Sequence, residues 1–132
     1  MNELVIAGQH TDCFTTLMCA TKEEKTQLFN AVSNCTNRIS DHVNEPITIK
    51  DVYVEMVEIA NEETGEVSNV PRTIIFDTKG ESYVACSFGF FNALRKMFDI
   101  FGLPDQWDTP ITIKPKQIHR GTNNILTFTI EK

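Results

Sequence analysis

The chain has 132 residues, of which 41% are hydrophobic and 23% charged, and its formal net charge is −6. This composition is typical of one folded domain with its own core, which excludes a disordered or fibrous protein. No apolar run approaches the roughly 20 residues of a membrane-spanning helix, so we expect no membrane partner. An acid, Glu3, stands where an export signal would carry positive charge, so we predict a protein that is not exported and stays in the cytoplasm.

The cysteines and the motif content give no sign of a bound metal or of catalysis. Cys13, Cys19, Cys35 and Cys86 are irregularly spaced, without a CxxC pair or clustered histidines, so they do not resemble a zinc site. In a protein that is not exported we expect reduced thiols. The chain also lacks a phosphate-binding glycine loop, HExxH and a serine-centred elbow, and we predict neither a cofactor nor an enzyme.

Residues 1–45 contain one predicted helix. A short apolar run at residues 14–20 is compatible with a strand, and Thr21 with Glu24 three residues later fits a capping box. Apolar residues then recur at helical spacing, which predicts a helix over residues 22–34. We interpret residues 1–45 as an N-terminal extension packed on the same domain.

Residues 46–60 predict a long, bent strand. Apolar side chains alternate along it, but their parity changes after Ile49 and again after Met56. Such a slip turns every following side chain to the opposite face unless a bulge absorbs the extra residue. A bent first strand with a bulge is what a small closed barrel requires.

Two hairpins follow, separated by a helix. The first is predicted from strands at residues 72–76 and 81–86 around a tight turn, the second from strands at residues 111–120 and 125–130. Between them, apolar residues recur at helical spacing after a capping Ser87. The predicted buried stripe of this helix is Phe91, Leu94, Phe98 and Phe101, widened by Phe90 and Met97.

The element order from residue 46 is therefore β-β-β-α-β-β. Three meander strands, a plugging helix and a closing hairpin are the order of the OB barrel. We predict a mainly β, α+β fold: a five-stranded OB-fold barrel over residues 46–132, with a helix between strands 3 and 4, plus the N-terminal helical extension.

Two stretches around the second helix carry a family resemblance. The first reads RTIIFDTKGESYVACS at residues 72–87, and the second contains ITIK at residues 111–114 and GTNNILTF at residues 121–128. Together they resemble the small single-stranded DNA-binding proteins of Gram-positive phages, including those with protein-primed replication, and of related conjugative plasmids. The resemblance covers residues 46–132 and implies an OB-fold without catalytic activity. It also implies sequence-tolerant binding to single strands, with a role in phage replication or plasmid transfer. Residues 1–45 lie outside it, and self-association is one role open to them.

Two tyrosines are the candidate stacking residues, because single-strand binders place bases on aromatic rings. Tyr53 alternates with the apolar Val52 and Val54, so we expect it to face outward. The alternative is that Tyr53 packs on a neighbouring strand or on the N-terminal helix. Tyr83 stands where the family pattern places an aromatic residue on the third strand, and it shares its face with Ala85.

Cations are few, so their distribution matters more than the net charge. Residues 45–66 hold seven acids and one lysine, whereas cations prevail after residue 110. The predicted phosphate-contacting residues are Lys114, Lys116, His119 and Arg120, extended by Lys50, Arg72 and Lys79. Of these, Lys114, Lys116 and Arg120 have the same strand parity. The alternative is an ordinary solvated strand whose lysines prevent edge aggregation.

These observations predict a sequence-nonspecific single-stranded DNA-binding protein that acts in phage or plasmid DNA replication or transfer. The alternative is an acidic protein-interaction module that modulates a host enzyme or imitates DNA through residues 45–66. A third hypothesis is an OB-type structural subunit of a larger assembly.

Overall fold

A computed structural model describes residues 2–6, 9–17, 19–121 and 123–131 of the protein. Within these residues the chain forms two α-helices and seven strands, and the strand ladders are antiparallel. The predicted mainly β class is confirmed. None of the described helices is long and apolar enough to cross a membrane. In chain order the elements are β1 (Asn2–Ile6), β2 (Gln9–Thr15), α1 (Lys22–Asn34), β3 (Ile47–Ala60), β4 (Val67–Asp77), β5 (Ser82–Cys86), α2 (Phe88–Phe101), β6 (Thr112–Arg120) and β7 (Asn123–Ile130).

The long strand β3 joins the parts of the sheet. It pairs with β2 and β4, and with β6 through Ile47 and Thr48 at its start. Its register against β4 shifts between Ile49 and Asp51, at the first change of parity, where a bulge was predicted to absorb the extra residue. The second change of parity, after Met56, has no register shift, because β3 pairs regularly with β4 from there to its end.

The predicted closed barrel is not formed. A closed OB barrel joins its third and fifth strands, which here are β5 and β7, and the sheet is open between them. No ladder connects β5 to β7 within the described residues. The segment before β3 occupies part of this edge, since Arg38 forms a parallel bridge with Val84 of β5. The Val84 N–H donates to the Asn37 carbonyl at 2.8 Å. The sheet also continues beyond the predicted five strands, because β2 pairs with β3 and β1 pairs with β2.

Of the predicted strand at residues 14–20, only Phe14 and Thr15 lie in a strand, because β2 ends at Thr15. The chain turns there because the Thr15 hydroxyl donates to the Val52 carbonyl at 2.8 Å and accepts the Leu17 N–H at 3.1 Å. This turn leads the chain from the sheet towards α1.

One face of the sheet packs against α2. The helix begins after Ser87, as predicted, and Ser87 caps it by accepting a backbone N–H at 3.2 Å. Phe101 continues the buried stripe by spacing, yet it is 47% exposed because the last turn of α2 extends past the core. Burial of Phe101 was therefore a wrong prediction. The fully buried residues of α2 are Phe90, Leu94 and Met97, which pack with side chains of β3, β4 and β6.

The opposite face of β3 and β4 is covered by α1. The predicted capping box is present, with Thr21 and Glu24 exchanging two hydrogen bonds of 3.1 Å. Leu28 and Ala31 of α1 pack on a buried cluster of strand residues. That cluster contains Tyr53, Ile74 and Phe76, together with Leu17. Side chains on both faces of β3 and β4 are thus buried, which decides where a ligand can reach the sheet.

Candidate nucleic-acid interface

The β6–β7 hairpin presents a row of cations on one face. In its register Lys114 lies opposite Thr129, Lys116 opposite Thr127 and Arg120 opposite Asn123. Alternate residues of a strand share a face, so the three cations point to the same side of the hairpin. The intervening Pro115 stays within the ladder and is buried, so it does not break the row. We call Lys114, Lys116 and Arg120 the cationic row.

The members of the cationic row have different partners. The Lys114 ammonium lies 2.8 Å from the Glu131 carboxylate, in a half-exposed ion pair. The Lys116 ammonium donates to the Asn44 side-chain oxygen at 2.5 Å. Arg120 is exposed and has no carboxylate partner among the described residues. An exposed ion pair contributes little and exchanges easily, so Glu131 leaves Lys114 available to a phosphate.

The other predicted cations do not extend this row. His119 pairs with Asn124, and the strand alternation turns it to the opposite face of the hairpin. Lys50 lies at the β3 bulge and Lys79 in the turn after β4, both exposed. Arg72 is largely buried, and one guanidinium nitrogen lies 3.1 Å from the Glu55 carboxylate, which neutralises its charge.

Tyr53 does not face solvent, and that prediction was wrong. Its side chain is 5% exposed and belongs to the cluster beneath α1. Its hydroxyl donates to the Glu55 carboxylate at 3.1 Å. The alternation with Val52 and Val54 is as predicted, but the opposite face is covered by the N-terminal helix. The alternative interpretation of Tyr53 is the one that the structure supports.

Tyr83 is half-buried at the edge of the core. As predicted, it shares its face with Ala85, and it packs against the cluster beneath α2. Its ring meets the His42 ring edge-on, with 5.1 Å between centroids, and its hydroxyl donates to the Asp77 carboxylate at 3.2 Å. Burial, and then the nearby Asp77 charge, raise the pKa of Tyr83. This tyrosine is held in place by protein contacts on several sides.

The buried Tyr53 gives a pH-dependent contribution to stability. Burial raises its pKa well above the ordinary value, and the Glu55 carboxylate raises it further. The tyrosine of the unfolded chain ionises at about pH 10, whereas in the folded chain Tyr53 keeps its proton at that pH. Deprotonation of Tyr53 therefore favours the unfolded state. The stability that this protonation supplies is present below about pH 10 and is lost as the pH rises above it.

We expect Tyr53→Phe to reduce the alkaline loss of stability. Urea unfolding measured at steps between neutral pH and about pH 11 should show a shallower decline than in the wild type. Tyr83→Phe is the comparison variant and should change the decline less, because Tyr83 is less buried than Tyr53. Identical profiles of stability against pH for the wild type and Tyr53→Phe would show that ionisation of Tyr53 does not contribute to the alkaline loss of stability.

A cation that the sequence analysis missed lies close to the hairpin. Lys96 of α2 and Arg120 of β6 line the same groove, about 650 Å³ in volume, between α2 and the β6–β7 hairpin. Gly89 permits the close approach of helix and hairpin, because a Cβ there would lie 2.6 Å from the Leu126 carbonyl oxygen. No local sequence pattern predicts that Lys96 and Arg120 line the same groove, because their proximity depends on how α2 packs against β7.

Comparison with known protein families identifies a family model that matches most of the chain. A family model described as phage single-stranded DNA-binding protein, of the Phi29 type, matches residues 7–131. No curated protein and no solved structure matches the chain. The match includes α1 and most of the segment before β3, so the family likeness extends beyond the part of the chain in which the sequence resemblance was found. The chain therefore belongs to the Phi29-type family of phage single-stranded DNA-binding proteins.

Proposed function

We propose that this protein binds single-stranded DNA without sequence preference during phage DNA replication in the host cytoplasm, and that the cationic row contacts the phosphates. The observation that carries the proposal is the common face of Lys114, Lys116 and Arg120 in a chain of net charge −6. Sequence-tolerant binders need such a track, because phosphate contacts are the part of the interaction that every sequence shares.

The distribution of acids supports this assignment. Glu58 lies in the outer part of β3, and Glu62, Glu63 and Glu66 lie in the turn that follows. β3 meets β6 at its other end, through Ile47 and Thr48. Since exposed charges farther apart than about 10 Å are largely screened at moderate salt, acids at the far end of β3 do not cancel the field of the cationic row.

An OB-type arrangement of β3 to β7 is part of the proposal. It is supported by the element order after residue 46 and by the pairing of β3 with both β4 and β6. In OB domains the ligand commonly crosses the outer face of the second and third strands. Here α1 covers the corresponding face of β4, so we propose that the DNA follows the β6–β7 side instead. No catalytic role is part of the proposal.

The test is a parallel binding titration with oligo-dT, a duplex of equal length and an RNA of equal length. Trp107 is the only tryptophan of the sequence. It lies half-buried at the C-terminal end of α2, where its indole N–H donates to the Gly102 carbonyl at 2.9 Å, so its emission reports on changes at that end of the helix. We expect oligo-dT to bind more tightly than duplex, with an affinity that falls as salt rises. Equal affinity for duplex, or no salt dependence, would contradict the proposal, and the RNA arm measures the preference between DNA and RNA.

A further inference from the structure

We propose that the unpaired bases of the bound strand lie in the groove between α2 and the β6–β7 hairpin, with Phe101 as a stacking ring and Lys96 and Arg120 at the phosphates. We call it the α2–hairpin groove. This inference rests on the proposed function and names the place where that function meets the bases rather than the backbone.

The α2–hairpin groove concentrates exposed apolar surface. Ile100 and Phe101 form part of its helical wall, and Ile118 and Ile130 part of its strand wall. All four side chains are exposed, although large apolar residues of a soluble protein are usually covered when they lie together. A contiguous exposed patch of this kind indicates a binding surface for a partner with apolar faces.

The charges of the groove restrict the partner further. Lys96 and Arg120 line it, and none of its lining residues is an aspartate or a glutamate. Neither cation forms an ion pair within the described part of the chain. In a protein with 18 acidic residues, an apolar groove whose only charged lining residues are cations is complementary to an anion with apolar faces. Single-stranded DNA has this chemistry, whereas a duplex hides the faces of its bases in the stack.

The α2–hairpin groove is continuous with the cationic row. Arg120 belongs to both, and Thr127 and Thr129, which line the groove, lie opposite Lys116 and Lys114 in the hairpin register. A strand whose phosphates follow the row is therefore positioned to turn its bases towards α2. The aromatic rings on the other side of the sheet offer no such path, because Tyr53 and Phe76 are buried beneath α1.

The test compares Phe101→Ala with Phe29→Ala. Both residues are exposed phenylalanines on helices, at 47% and 65%, but Phe29 lies on α1, outside the groove. We expect Phe101→Ala to weaken binding to oligo-dT by about tenfold, as expected for the loss of one stacking ring, and Phe29→Ala to leave it unchanged. Thermal unfolding followed by circular dichroism checks that both variants are folded.

An abasic oligonucleotide separates bases from phosphates. It keeps the charged backbone, so we expect Phe101→Ala and the wild type to bind it equally, while Arg120→Gln weakens binding to both oligonucleotides. If the wild type binds oligo-dT and Phe101→Ala binds it as well as the wild type does, the groove does not hold bases and this inference is overturned. If the wild type fails to bind oligo-dT, the proposed function itself has failed.

A protein partner is the competing explanation for the exposed apolar patch. Sedimentation of the wild type and Phe101→Ala without DNA measures whether the groove joins copies of the chain. A change in oligomeric state with unaltered affinity for oligo-dT would assign the groove to self-association and overturn the inference. An unchanged sedimentation coefficient together with weaker oligo-dT binding supports it.

Discussion

Replacing all three members of the cationic row with glutamine, in a Lys114→Gln/Lys116→Gln/Arg120→Gln variant, should weaken binding to oligo-dT by about 100-fold at low salt. If each charged contact with a phosphate contributes on the order of 1 kcal/mol, three contribute about 3 kcal/mol, which corresponds to roughly that factor. The fold should survive, since Arg120 is exposed and the ion pair of Lys114 lies at the surface.

The salt dependence gives a second measurement of the same variant. For single strands the slope of log affinity against log salt changes by about 0.7 per phosphate contact, so losing three contacts should make it shallower by about 2. The matched control is Lys22→Gln/Lys25→Gln/Arg38→Gln, which removes the same charges from exposed positions outside the hairpin. If the control loses as much affinity and slope as the row variant, binding depends on net charge alone and the row has no special role.

Local patterns predicted the elements well where the signal lies within one segment. The capping box at Thr21 and the cap at Ser87 both form, because each hydrogen bond connects residues three apart. The strand β4 was predicted too short, because its start was placed at Arg72 and not at Val67. In the structure the pairing with β3 extends to Val67 opposite Ala60. That extension depends on a partner strand, which the sequence of one segment does not reveal.

The same distinction between local and distant signals applies to the residues of the candidate interface. Lys114, Lys116 and Arg120 were predicted to share a face because strand parity alone decides it, and the hairpin register confirms this. The exposure of Tyr53 could not be predicted in this way. Parity gave its face correctly, but whether that face meets solvent depends on α1, which belongs to an earlier segment of the chain.

The largest effect on stability is expected from Phe90→Ala. Phe90 is fully buried in α2, and its ring centroid lies 5.1 Å from that of Phe128 on β7. Truncating a buried phenylalanine lowers the free energy of unfolding by about 3–5 kcal/mol. The loss has two parts, the buried apolar surface that is removed and the cavity that the neighbouring side chains fill only in part. That is a large part of the roughly 5–15 kcal/mol by which a domain is normally stable. Urea unfolding measures the difference in the free energy of unfolding.

Phe88→Ala is the matched control, because Phe88 lies two residues earlier on the same helix and is 51% exposed. It should change the free energy of unfolding by less than about 1 kcal/mol, as surface substitutions usually do. A similar cost for both variants would show that Phe90 does not anchor α2.

The two variants also connect the core to the proposed binding groove. Phe90 packs α2 against β7, and those two elements supply opposite walls of the α2–hairpin groove. Under conditions where Phe90→Ala remains folded, we expect its affinity for oligo-dT to fall more than its affinity for an abasic oligonucleotide, because a displaced wall disturbs base contacts before phosphate contacts. The cationic row should keep its function, since it is fixed by the register of β6 against β7 and not by the position of the helix.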